Sequence, residues 1–190
     1  MGRLQALTQN SDLLTYLSGE GRVYYASDTD QNDLVTGQTS FADTTPTFIL
    51  DVPDGTTAIP LMVRLSQTGT VAGGAIDVIV EIDNADRYNT GGTSETVLGS
   101  KTTGARTNAC ALYSGATANA GYGIRLMGMT IGQDVSPAEG SPNEIVWTPA
   151  AGLDFIVGPG AFLVYTYAGT TGPTWFWTVK WAEIPTNWVQ

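Results

Sequence analysis

Side chains that could hold a metal ion are grouped in one polar segment near the start of the chain. Asp28, Asp30 and Asn32 alternate there, and alternate residues on a tight turn bring their oxygens together, as in the first half of a calcium loop. Asp33 stands where such a loop needs glycine, and Thr39 stands where a bidentate glutamate closes the site. The segment is therefore predicted to be a solvated acidic loop, with calcium binding as the alternative.

A second acidic group lies at the end of the most regular strand pattern in the chain. In IDVIVEID (76–83) apolar and acidic residues alternate, which predicts a strand with one buried and one hydrated face. Glu81, Asp83 and Asp86 are therefore expected to face water, again with calcium as the alternative. We predict no bound metal and no organic cofactor.

Catalytic side chains are scarce in this composition. The 190 residues include no histidine, the commonest general base and metal ligand, and a single cysteine, Cys110. Cys110 lies in TNACALYS (107–114) and is predicted to be a small buried residue of a strand. The sequence contains no nucleophile elbow, phosphate-binding loop or dinucleotide-binding motif. We therefore predict that the protein is not an enzyme.

Aromatic residues near loops offer a different chemistry, because exposed rings can stack on sugars. The candidates are Tyr88, Tyr113, Tyr122 and Trp188. No polar partner for a bound sugar is identifiable beside them, and packing or subunit contact is the commoner fate of such rings. Glycan binding is kept as an alternative function.

The charge balance argues against two classes of partner. The chain has 18 acidic and 8 basic residues, a net charge of -10, and the basic residues are scattered singly from Arg3 to Lys180. A nucleic-acid groove or an anionic membrane surface needs a basic cluster, so neither partner is expected. No run approaches the roughly 18 apolar residues of a membrane span. We expect a soluble protein made in the cytoplasm of a cell.

Strand and turn signals must position all of these residues. With 23 Gly and 9 Pro, the sequence shows about ten short strand patterns and no helix pattern between any two of them. Because parallel strands need crossover helices, the sheets are predicted to be antiparallel. In AIPLMVRLS (58–66) the alternating residues Ile59, Leu61, Val63 and Leu65 are expected to share one face.

The most apolar pattern lies in residues 161–185, AFLVYTYAGTTGPTWFWTVKWAEIP, which is typical of a hairpin. Trp175, Trp177, Val179 and Trp181 fall on one side at period two. Three tryptophans would expose about 600 Å², the upper end of what a soluble monomer shows. This face must therefore contact either the core or a partner.

The first 46 residues are predicted to form an N-terminal arm and linker outside the main domain. Leucines recur at helical spacing in the arm, at Leu4, Leu7, Leu14 and Leu17. The stripe is narrow, so we expect a short helix that lies on its own domain or reaches a neighbouring subunit. RVYYAS (22–27) predicts a first strand within this region, and the main domain is assigned to residues 47–190.

The end of the chain resembles a known family. LDFIV (153–157), then Gly158-Pro159-Gly160, AFLVYTYAG and a tryptophan-rich strand that ends at WAEIP (181–185) is similar to the last hairpin of a single jelly roll. The layout resembles the small jelly-roll structural proteins of tailed-bacteriophage virions, the capsid cement or decoration class. It covers roughly residues 47–185. The resemblance implies a trimer or dimer that sits on an assembled capsid, and it carries over no catalytic residue.

Together these observations predict an all-β protein: a single antiparallel jelly-roll sandwich with an N-terminal arm that is partly helical. The expected function is that of a cement protein on the outer capsid surface, bound to the major capsid protein and to its own copies. A glycan-binding spike or tail-tip module and a small shell-forming capsid protein are the alternatives. The predicted partner-binding residues are Leu4, Leu7, Leu13, Leu14 and Leu17, with Trp175, Trp177 and Trp181 added if the last strand is exposed.

Overall fold

Two antiparallel β-sheets lie face to face across a shared core in the computed structural model, which describes residues 13–28, 33–68, 75–131, 143–150 and 152–189. A short helix, α1 (Leu13–Gly19), comes before the strands, and a single 3₁₀ turn (Thr186–Trp188) follows them. The strands are β1 (Val23–Ser27), β2 (Val35–Thr36), β3 (Phe48–Val52), β4 (Thr56–Thr68), β5 (Ile76–Asp83), β6 (Tyr88–Thr90), β7 (Thr93–Ser94), β8 (Leu98–Gly99), β9 (Ala111–Ser114), β10 (Thr117–Ala118), β11 (Ile124–Ile131), β12 (Glu144–Trp147), β13 (Ile156–Val157), β14 (Gly160–Ala168) and β15 (Thr174–Pro185).

The strand order is that of a jelly roll. Sheet A runs β12-β4-β15-β1-β8, with β13 also paired to β4 and β2 to β15; sheet B runs β11-β5-β14-β3-β9-β7. Strands that follow each other in the chain, such as β3 and β4 or β14 and β15, lie in opposite sheets, as in two interleaved Greek keys. The all-β class and the antiparallel pairing predicted from the sequence are confirmed.

The sandwich begins before residue 47, where the sequence placed its first residue. Strand β1 pairs with β15 along its full length, from Val23 opposite Ala182 to Ser27 opposite Thr178, and it also pairs with β8. Strand β2 adds a second contact to β15. The predicted strand at 22–27 is therefore present, but it belongs to sheet A and is not part of a separate arm.

The tryptophan face of β15 fills the core. Trp175, Trp177, Val179 and Trp181 are buried and lie in the main cluster with residues of both sheets, while Phe176 on the other face is exposed. Trp177 packs on Phe48 of sheet B with ring centroids 4.8 Å apart. The period-two pattern predicted from the sequence is therefore confirmed over this stretch.

Strand β4 departs from the alternation that its sequence predicts. Lys180 of β15 faces Met62, but the next residue, Trp181, faces Pro60, so Leu61 is an extra residue at a β-bulge. Val63 and Leu65 point into the core between the sheets, whereas Ile59 and Leu61 join a cluster on the outer face of sheet A. The four residues do not share one face, because a bulge reverses the side on which later residues lie.

Helix α1 covers the outer cluster that the bulge creates. Leu17 is fully buried against Val23, Ile59 and Ile184, and Leu13 and Leu14 pack around it. A helix of seven residues is unstable alone, so this packing maintains it. The N–H of Arg22 donates to the Leu17 carbonyl at 2.9 Å and ends the helix directly before β1.

The segment between β5 and β11 covers the outer face of sheet B. Its β6–β10 ribbon places Ala116 and Ala118 over Ile49, Ile79 and Leu163. The buried Arg87 anchors this cover: its guanidinium donates to the Asp83 carboxylate at 2.7 Å, to the Asn119 carbonyl at 2.7 Å and to the Asp43 carbonyl at 2.9 Å. One charged side chain thus connects three segments that are distant in sequence.

Trp175 and Phe176 provide a matched test of this core. Trp175 is 0% exposed and its Nε1 donates to the Thr166 hydroxyl at 3.1 Å, whereas Phe176 is 39% exposed on the opposite face. We expect Trp175→Ala to lower the free energy of unfolding by about 3–5 kcal/mol because it leaves a cavity. Phe176→Ala should cost about 1 kcal/mol or less. Urea denaturation measures both, and an equal cost for the two variants would contradict the packing described.

Candidate contact surfaces

The leucines predicted to bind a partner have separate fates. Leu4 and Leu7 lie outside the described residues. Leu17 is completely buried beneath α1, so it holds the helix to its own sheet and is not available to another molecule. Leu13 and Leu14 are partly buried in the same cluster, and Leu14 also lines a groove at the protein surface.

The tryptophans predicted as conditional contact residues are not part of the surface. Trp175, Trp177 and Trp181 are at most 2% exposed. Their indole nitrogens also have acceptors within the chain: the Thr166 hydroxyl, the Asp33 carbonyl and the Glu183 carboxylate respectively. The condition that the last strand be exposed is not met, because β4 and β1 flank β15 on both sides and sheet B covers its inner face.

An apolar groove beside α1 is the first surface feature suited to contact. It has a volume of about 520 Å³ and is lined by Leu14 and Ser18 of the helix, by strand residues of sheet A and by the loop after β12. Its apolar lining consists of Leu14, Val23, Leu61, Met62, Pro149 and Leu153. Lys180 at its margin lies over the ring of Tyr25, 4.9 Å from the ring centroid.

The second feature is the side of the sandwich where β11 and β12 lie. Each is the outermost described strand of its sheet: β11 pairs only with β5, and β12 only with β4. Ile124 is 63% exposed, and Met129 and Val146 are exposed as well. An outer strand has unpaired N–H and C=O groups along one side, and exposed apolar residues there promote association with another chain.

Two of the acidic residues considered as metal ligands, Glu81 and Asp83, are paired with arginines, and Glu81 is buried, so the prediction that it faces water is wrong. The Glu81 carboxylate accepts from Arg125 at 3.4 Å, and Asp83 accepts from Arg87 at 2.7 Å. Within the described ranges no group of three or more His, Cys, Asp or Glu side chains could hold a metal ion. Asp30 and Asn32 of the other acidic segment lie outside those ranges, so the structure does not bear on that loop.

The four aromatic residues considered for sugar binding do not form one platform. Tyr88 and Tyr113 stack on each other, with ring centroids 4.1 Å apart and planes inclined by 13°. Trp188 lies at the other end of the chain beneath the guanidinium of Arg22, at 4.9 Å. Tyr122 is 85% exposed and stands apart from these pairs.

Cys110 is buried, as its sequence context predicted, but it lies directly before β9 and is not part of the strand. Burial raises the pKa of its thiol, and the nearby Glu183 carboxylate raises it further. The thiol therefore stays protonated at neutral pH, which makes it a poor nucleophile. Its backbone N–H donates to Glu183 at 3.1 Å.

Several structurally central residues gave no signal in the sequence. Arg87 looks like an isolated loop arginine, because its acceptors near residues 43 and 119 are distant in the chain. The outer position of β11 was equally hidden, since its sequence resembles that of an inner strand. Charged residues such as lysine often mark an outer strand, but IRLMGMTI (124–131) contains no lysine or aspartate that would have indicated this position.

The fold and the surface define an all-β sandwich protein in which two exposed outer strands, β11 and β12, lie on the same side. Comparison adds no relatives: no family model matches the chain, and neither a curated protein nor a solved structure matches it. Across the part of the chain that the structure describes, no helix is long and apolar enough to cross a membrane.

Buried tyrosines make the stability of the sandwich sensitive to alkali. Burial raises the pKa of Tyr165 from 10.0 to about 12, and its hydroxyl donates to the Asp43 carbonyl at 2.9 Å. Between about pH 10 and pH 12 the unfolded chain loses this proton while the folded one keeps it, so stability falls as the pH rises.

We expect the wild-type free energy of unfolding to fall through this window, with about 1–2 kcal/mol of the loss due to Tyr165. Tyr165→Phe should lose less between pH 9 and pH 11.5, and Tyr122→Phe, altered at an exposed ring, should follow the wild type. Urea titrations at a series of pH values measure the slopes. Equal slopes for all three proteins would show that burial of Tyr165 does not control its ionisation.

Proposed function

We propose that this protein is a non-enzymatic structural protein of a tailed-bacteriophage virion, a capsid cement or decoration protein. It acts by contact, with its own copies and with the major capsid protein, on the outer surface of the shell. The observation that supports this best is the pair of outer strands, β11 and β12, on one side of the sandwich with exposed apolar residues.

An outer strand of this kind favours association. Strand β11 is eight residues long and has exposed Ile124 and Met129; its single charged residue, Arg125, is paired with Glu81 beside a register shift, and the strand contains no proline. Monomeric proteins commonly protect such strands with charges, proline or extreme shortness. A standard interface buries about 1,600 Å² of surface. Strands β11 and β12 and the apolar groove beside α1 would each contribute apolar surface to such an interface.

Charge and packing fit the same role. The core is filled by the chain's own tryptophans, so contact requires no opening of the sandwich. The net charge of -10 would be repelled by packaged nucleic acid, which supports a position outside the shell. Repetition over many copies converts modest individual contacts into a stable lattice.

Ile124 and Leu98 provide a matched test of the contact side. Ile124 is 63% exposed on β11, on the side of the sandwich that also holds β12. Leu98 is 62% exposed on β8, at the end of sheet A opposite to β12. We expect the wild-type protein to self-associate and Ile124→Lys to weaken association at least about tenfold, because it adds a charge to an outer strand. Leu98→Lys should associate like the wild type. Sedimentation velocity over a concentration series measures this, and equal effects of both variants would refute the assignment of the side.

The virion role has its own test. In tailed-phage particles from the source of this chain, quantitative mass spectrometry should find the protein at a fixed ratio to the major shell protein. Mild treatment that strips it should leave shells that break at lower temperature, and adding the wild-type protein back should restore them. Absence from purified particles would refute the cement role.

The two alternatives predict different results. A spike or tail-tip module would show saturable binding in a glycan array that is lost in Tyr122→Ala, whose ring is the most exposed of the four candidates. A shell-forming protein would assemble closed particles without any other protein, which electron microscopy of the purified chain would reveal.

A further inference from the structure

A polar pocket of about 530 Å³ lies at one end of the sandwich, outside the contact surfaces described above. It is formed where the start of β1, the turn before β4, the loop before β9 and the end of β15 meet. Its charged and hydroxyl-bearing lining residues are Arg22, Tyr24, Thr56, Arg106, Thr107 and Glu183. We propose that this pocket binds a small oxyanion, a phosphate or carboxylate group, through the guanidinium groups of Arg22 and Arg106.

Arg22 has hydrogen-bonding capacity that the protein does not use. Its Nε is buried and has no hydrogen-bond partner among the described residues. Its guanidinium lies over the ring of Trp188, 4.9 Å from the centroid, a contact that uses the face of the group. The Nε–H, which lies in the plane of the group, is left without an acceptor, and a buried donor without one costs free energy.

Arg106 brings a second positive charge to the same pocket. It donates to the Glu20 carboxylate at 2.8 Å and to the Glu20 carbonyl at 3.3 Å, and its side chain is half-exposed. Burial lowers the pKa of Arg22, and the nearby charge of Arg106 lowers it further. The Glu20 carboxylate offsets part of the repulsion between the two cations, and a bound anion would offset more of it. Arginine pairs of this kind bind phosphate and carboxylate well, because the guanidinium fork matches two oxygens at once.

The backbone holds both arginines in fixed positions. The Arg22 N–H donates to Leu17 at the end of α1, and the Arg106 N–H donates to the Gly21 carbonyl at 3.0 Å. Gly21 has a φ of +69°, and a Cβ there would lie 2.9 Å from the Cα of Ala105, so only glycine permits this approach. The two cationic segments are thus aligned before any ligand arrives, which lowers the entropic cost of binding.

The buried Glu183 carboxylate does not fill the role of the anion. Its oxygens accept from the N–H groups of Ala109 at 2.7 Å and Cys110 at 3.1 Å, and from the Trp181 indole at 2.8 Å. These three donors occupy both carboxylate oxygens without using either arginine. Burial raises the pKa of Tyr24 to about 12, and its hydroxyl donates to the Thr107 carbonyl at 3.4 Å on the pocket wall.

Isothermal titration calorimetry with the purified full chain tests the site, using sodium phosphate and sodium acetate in separate arms at ionic strength matched with sodium chloride. We expect saturable binding of at least one oxyanion, with a matching rise in melting temperature. Arg22→Gln and Arg106→Gln should each weaken binding about tenfold or more. Arg64→Gln is the control, because Arg64 is an exposed arginine paired with Glu144 outside the pocket.

The proposal is overturned if neither phosphate nor acetate binds more strongly than chloride. It is also overturned if both Arg22→Gln and Arg106→Gln bind with wild-type affinity. Circular dichroism shows whether Arg22→Gln folds, and if it does not, the half-exposed Arg106 decides the result. Sedimentation velocity shows whether the bound group is a free anion or a carboxylate of another copy of this chain. If another copy supplies the carboxylate, phosphate and Arg106→Gln should both reduce self-association; a free anion should leave it unchanged.

Discussion

Burial of the tryptophan face of β15 is the constraint on which the rest of the molecule depends. Trp175, Trp177 and Trp181 cannot stay in water, and each indole N–H needs an acceptor once it is buried. Sheet B supplies the apolar cover, including Phe48 against Trp177. Strands β1 and β4 must therefore flank β15, which brings the first and last strands of the sandwich together.

The same constraint explains the position of the helix. The bulge at Leu61 allows β4 to stay paired with β15 while its apolar residues change sides. After the bulge, Val63 and Leu65 add to the core. Before it, Ile59 and Leu61 form an apolar patch on the outer face of sheet A, and another element must cover this patch. Helix α1 supplies that cover, and it ends three residues before Arg22, which lines the polar pocket.

The predictable part of the structure is the part encoded by local pattern. Alternation identified the core face of β15 correctly from Trp175 to Trp181. In β5 it identified the core residues Ile76, Val78 and Val80, but the face predicted to be hydrated is partly buried, at Ile79 and Glu81. It failed in β4, where one extra residue has no signature in AIPLMVRLS (58–66). The assignment of β1 to an arm outside the main domain failed for a different reason: β1 is separated from its partner β15 by most of the chain, and nothing local reports a pairing at that distance. The acceptors of Arg87 and the meeting of Arg22 with Arg106 depend on such distant contacts too.

The segment between β5 and β11 makes the sandwich unequal on its two sides. On one side it adds β8 to sheet A and β7 with β9 to sheet B, and the outermost strands there are only two residues long. On the other side the longer β11 and β12 have no such addition among the described strands. A subunit with a single adhesive side can form a closed pair but cannot propagate strand by strand, because growth requires a second adhesive side. The insertion thus acts as a stop that makes the fold resistant to fibre formation.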